Sequence, residues 1–153
     1  MIQNISKIGL LFVISVFSYS CSYVTNLYIV NKSESPVAIE YKYSETEHIA
    51  IEKPQLYTVS RSEIKDIRKN QSALKHTKGD NLVRCTLEPE NAIHIGSTTN
   101  FSLKNKQDVA ELASNFDYIK VKTGEHITTL YGKELADYMS TVDKHTVILA
   151  ISQ

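Results

Sequence analysis

The chain has 153 residues, with 17 Lys and Arg against 17 Asp and Glu, so its formal net charge is zero and it carries no electrostatic footprint for nucleic acid. With 22% charged and 42% apolar residues it has ordinary globular composition, which excludes a disordered chain. Five glycines and three prolines exclude low-complexity linkers, and nine tyrosines without a tryptophan lean towards a β-rich domain.

In chain order the first element is an apolar leader. Lys7 is the only charged side chain in the first twenty residues, and IGLLFVISVF follows at 8–17. A mostly apolar run of ten residues suits the core of an export signal and is too short to cross a hydrocarbon layer as a helix. Ser18, Tyr19 and Ser20 then place small residues first and third, so the backbone can lie extended in a peptidase cleft. Cutting after Ser20 leaves Cys21 as the first residue.

Ser20 and Cys21, at the end of such a run, resemble the lipobox of bacterial lipoproteins, in which the cysteine sulfur receives a diacylglycerol before cleavage. Ser18 departs from that family's pattern, which prefers leucine three residues before the cysteine. The resemblance covers only the first twenty-odd residues. It implies lipidation at Cys21, with acyl chains such as palmitate holding the protein in the bacterial cell envelope. Ser22 after the cysteine resembles the residue found there in lipoproteins sorted to the outer membrane. Two or three acyl chains, at about 0.8 kcal/mol per buried methylene, anchor durably where one does not. The triplet 18–20 also fits the general signal peptidase, and without lipidation a Cys21–Cys85 disulfide is open to an exported chain.

The expected layout is a signal peptide at 1–20, a tether at 21–25 and one β-rich domain at 26–153. Residues 26–31 read as a strand, KSES as a turn, and PVAIEYKY as the clearest strand, with Val37, Ile39, Tyr41 and Tyr43 alternating against Ala38, Glu40 and Lys42. Further strands are expected at 48–52 and 56–59. Ser60 and Glu63 have capping-box spacing and Ile64, Ile67 and Leu74 fit a helical stripe, which predicts a short helix at about 61–70 followed by a polar loop to Gly79. That segment carries Arg61, Lys65, Arg68, Lys69, Lys75 and Lys78, a solvated face whose functional alternative is contact with anionic lipid headgroups.

Residues 82–87 alternate as a strand that points Cys85 inward, as a buried small hydrophobe rather than a reactive thiol. Another strand is expected at 92–96. Asn105 is a candidate N-cap for a helix at 106–113, with Val109, Leu112, Ala113 and Phe116 as its stripe. Residues 118–122 and 126–131 read as a hairpin about Gly124, 133–139 as a short helix, and KHTVILAIS at 144–152 as a final strand covered on both sides. The fold class is therefore mainly β (α+β), a sandwich-like antiparallel sheet of about eight or nine short strands with two or three short helices.

No GxSxG, HExxH, phosphate loop or CxxC is present. The five histidines never stand three or four apart, so a metal site would need His48, His94 and His126 to converge from separate strands, with Glu47 or Glu125 beside them. Tyr41 and Tyr43 read as core residues before a ligand platform. The expectation is a structural or binding module without cofactor, with the membrane and another envelope protein as partners, the latter pairing with an exposed edge such as 26–31. The alternative is a small envelope hydrolase with a site assembled from dispersed His and Glu residues.

Overall fold

A computed structural model of the chain describes residues 22–44, 49, 55–59, 67–69, 77–79 and 81–152, the strands at 67–69 and 77–79 by their backbone alone. Cys21 and the expected strand at 48–52 lie outside the described residues, apart from Ile49, which is buried.

The described elements are β1 (Val24–Asn31), β2 (Val37–Tyr43), β3 (Gln55–Val59), β4 (Ile67–Lys69), β5 (Thr77–Gly79), β6 (Leu82–Leu87), β7 (Asn91–Thr99), α1 (Lys106–Asn115), β8 (Phe116–Thr123), β9 (His126–Tyr131), α2 (Gly132–Tyr138), β10 (Met139–Asp143) and β11 (Thr146–Ile151). They form two sheets. The first runs β10-β11-β1-β7-β3-β4 and the second β5-β6-β2-β8-β9. Alternation builds both inner faces: Leu27 and Ile29 of β1 and Val147, Leu149 and Ile151 of β11 join Ile39 and Tyr41 of β2 and Val83, Cys85 and Leu87 of β6 in one buried cluster. Leu112 and Leu135 bring the helices into the same core, with Phe116 of β8 beside them. The result is the mainly β, sandwich-like α+β architecture that the sequence predicts.

Four particulars differ from expectation. Eleven strands are described rather than eight or nine, because β4, β5 and β10 were unforeseen. Residues 67–69 are not helical: Ile67, Arg68 and Lys69 pair with Val59, Thr58 and Tyr57 as β4. Residues 77–79, expected in a polar loop, pair with β6 as β5. Finally, β1 is no edge. It pairs antiparallel with β7 on one side and parallel with β11 on the other, so residues 26–31 have no free hydrogen-bonding side.

That central position explains why five consecutive residues of β1 are buried. The outer face of the first sheet carries a second apolar cluster of Tyr28, Val30, Val59, Ala92 and Ile148, with Tyr57 and Val142 packed on it. β1 and β11 are thus covered on both sides, as the run VILAI predicts for the latter.

α1 and α2 pack on each other as connections between the sheets: α1 leads from β7 to β8 and α2 from β9 to β10. The Asn105 side chain caps α1 by accepting from Gln107 N–H at 2.9 Å. Phe116, the last member of the expected stripe, stands one residue past the helix and opens β8, still buried.

Candidate functional site

Two surfaces carry organised polar chemistry. The first is the outer face of the second sheet. Register places Glu40 of β2 between Arg84 of β6 and Lys120 of β8. Arg84 Nε donates to Glu40 Oε2 at 2.6 Å, while Lys120 Nζ at 3.1 Å and Tyr118 Oη at 2.9 Å donate to Oε1. Lys120 also lies over the Tyr118 ring, 5.4 Å from its centroid. The Arg84 hydrogen bond, helped by those from Tyr118 and Lys120, holds the Glu40 carboxyl down to about 2 against the burial that opposes it. A second pair, Lys42 Nζ to Asp117 Oδ2 at 2.9 Å, continues the row and lowers Asp117. Beside Glu40 an open depression of 380 Å³ is lined by Ala38, Arg84, Thr86, Lys120 and Lys122 among others.

The second surface is the pole where β1 begins. Asn100 sits in the left-handed region (φ 54°), a conformation asparagine tolerates. From there its backbone N–H donates to Tyr23 C=O at 2.9 Å, and its side-chain Oδ1 accepts from Tyr23 N–H at 3.0 Å. The chain is therefore fastened at Tyr23, and Ser22 is the one residue between that clasp and Cys21. Of the stretch expected as a tether at 21–25, Tyr23 is held by the clasp and Val24 and Thr25 already belong to β1.

The β10–β11 turn is latched to the same pole. Thr25 Oγ1 donates to Lys144 C=O at 2.9 Å and Asn26 N–H to His145 C=O at 2.8 Å. His145 Nδ1 donates to Val24 C=O at 2.9 Å, and its ring meets the Tyr23 ring edge-on at 5.8 Å. Asp143 turns its carboxylate back onto His145 N–H at 2.7 Å. Val24, Lys144 and His145 remain exposed.

Arg68 and Lys69 lie on edge strand β4, level with Asn91 and Ala92, at the end of the sheet opposite Val24. Lys78 lies on β5, in the other sheet. The cations read as one helical face are thus divided between two sheet edges, while Arg61, Lys65 and Lys75 lie outside the described residues. His48 and Glu47 lie outside them as well.

His94 is 5% exposed, packed against Tyr28 and Tyr57 on the first sheet. Its Nε2 is 3.0 Å from Ser97 Oγ, and that hydroxyl gives its proton to Asn26 Oδ1, so the histidine nitrogen is the donor. His126 lies exposed at the start of β9 in the second sheet, and Glu125 lies exposed in the turn before it. Among the described residues no group of three His, Cys, Asp or Glu side chains is placed to hold a metal ion. Burial pushes the Cys85 thiol up to about 12, which leaves it protonated and unreactive near neutral pH.

Sequence reasoning missed the Glu40 cluster and the Tyr23–Asn100 clasp. Alternation put Glu40 on the solvent side, but only strand order supplies its cross-strand partners. Tyr23 and Asn100 are 77 residues apart, and neither belongs to a motif. No protein-family model matches the chain, and neither does any curated protein or solved structure.

Proposed function

We propose that this chain is a lipid-anchored bacterial envelope protein, acylated on Cys21, that works as a structural or binding module at the outer membrane. The observation that supports this reading best is the clasp at Tyr23. A globular domain ordered to within two residues of a cysteine that follows an export-type run suits a protein cut at Ser20–Cys21 and tethered there. The hydrolase reading finds no support in the carboxylate with the most elaborate surroundings. Glu40, held near 2, is too weak a base and too strong an acid for proton transfer at neutral pH.

Intact mass of the membrane-extracted protein tests this. Acyl additions should map to Cys21, and Cys21→Ala should move the protein to the soluble fraction. A mature protein of unmodified mass in the soluble fraction would end the proposal.

A further inference from the structure

From the pole that carries the Tyr23 clasp, we infer that the domain stands end-on on the leaflet holding its lipid, with Val24, Lys144 and His145 seated among the headgroups. The inference rests on acylation of Cys21. Its first support is reach. Cys21 lies two residues before Tyr23, so its Cα is within about 7 Å of that residue's Cα even with the chain extended. Tyr23 cannot swing out to lengthen the tether without breaking two hydrogen bonds to Asn100.

The second support is rigidity. The start of β1, Asn100 and the turn at 144–145 are joined by the Tyr23–Asn100 pair, the bond from Thr25 Oγ1 to Lys144 C=O, and the contact between His145 and Val24 C=O. A lipid at Cys21 therefore places a fixed patch, not a loose loop, at the membrane.

The third support is the chemistry of that patch. Val24 is 50% exposed, one of the four large apolar side chains in the described surface that are. Lys144 offers an ammonium on a long stem and His145 a ring edge beside it. This mixture of apolar contact and snorkelling cation suits the headgroup layer. The orientation follows from the strand register. β1 runs away from the patch, so its end at Asn31 stands about 23 Å farther out, at seven residues of about 3.3 Å each. Strand β4, whose positions 68 and 69 are level with that far end, then lies at the pole away from the leaflet.

The absence of tryptophan makes a clean test available. Val24→Trp and Lys144→Trp report the near pole; Glu34→Trp and Glu88→Trp, both at exposed sites, report the far one. Each full-length variant is produced in bacteria, extracted and reconstituted into phosphatidylcholine–phosphatidylglycerol vesicles containing lipid brominated near the top of the acyl chains. The expected result is loss of emission at positions 24 and 144 and unchanged emission at 34 and 88. Flotation and intact mass of the same samples separate orientation from anchoring. Acylated protein that floats but shows no quenching at 24 and 144, or equal quenching at all four positions, overturns the orientation and leaves the anchor standing. Protein that is not acylated and does not float overturns both.

Discussion

Asn31 is fully buried at the end of β1, and all its bonding capacity is used. Its Nδ2 donates to Leu87 C=O and Ser35 C=O, both at 2.9 Å, while Oδ1 accepts from Ser33 N–H at 3.0 Å and Ser33 Oγ at 2.7 Å. One side chain thereby shapes the turn after β1 and ties the first sheet to the end of β6 in the second. Removing it strands buried backbone groups, each worth about 1–3 kcal/mol when left unmade. Asn31→Ala should therefore cost about 2–3 kcal/mol, read as a lower urea midpoint at unchanged slope. Tyr41 presents the opposite case. It is 0% exposed, packed on Phe116 and Tyr43, and among the described residues its hydroxyl is the buried side-chain atom without a partner. Burial accordingly pushes the phenol far above its ordinary range. Tyr41→Phe removes an unpaired polar group with little change of shape, so it should unfold no more easily than the parent and gain up to about 1 kcal/mol. A clear drop in melting temperature would show that the hydroxyl is bonded after all.

Elements with one wet face were readable, and elements built by backbone pairing alone were not. β2 and β6 begin and end at the residues their alternation marks, because each buries one face in the core and wets the other. β10 escaped because only Met139 among its five residues is buried; an edge strand needs backbone partners, not apolar alternation. At β4, the helical spacing that included Ile67 lost, over residues 67–69, to the hydrogen bonds offered by β3. Gly132 shows how far element contacts can invert a local rule. A methyl added at the start of α2 would collide with the carbonyl oxygens of Ala113 and Phe116. Gly132→Ala, stabilising by helix propensity in isolation, should here cost about 1–3 kcal/mol by forcing α1 and α2 apart, measurable by thermal unfolding. The charged row across β6, β2 and β8 makes a prediction in pH. Glu40 has an ordinary value of 4.5 and titrates near 2 in the fold, so its contribution is complete above about 4.5 and disappears as pH falls through 2. The melting temperature of Glu40→Gln should lie below the parent's at pH 7 and converge on it by pH 2. Because Arg84 and Lys120 are 57% and 40% exposed, added salt should narrow the pH 7 gap. A gap independent of pH would remove the carboxylate charge from the account.

At the scale of the molecule, composition and strand spacing were enough for a β-sandwich with helical connections, but not for its strand order. Nothing local tells β1 to lie beside β11, since that pairing joins residues about 120 positions apart and depends on both strands being apolar on two faces. The same gap hid the Tyr23 clasp and the partners of Glu40, all of which exist only once distant strands are neighbours. The parallel pairing of β1 and β11 also has a mechanical side. The two strands are hydrogen-bonded from Asn26 beside Thr146 to Asn31 beside Ile151, so β1 is entered at one pole and β11 is left at the other. A pull between Tyr23 and Ile151 runs along both strands at once. It loads the whole ladder in shear, where the bonds must fail together, instead of unzipping them singly from one end. Tension in that direction shears a whole strand pair, whereas a tug between Tyr118 and Tyr131, at the open end of the β8–β9 hairpin, would peel its ladder bond by bond.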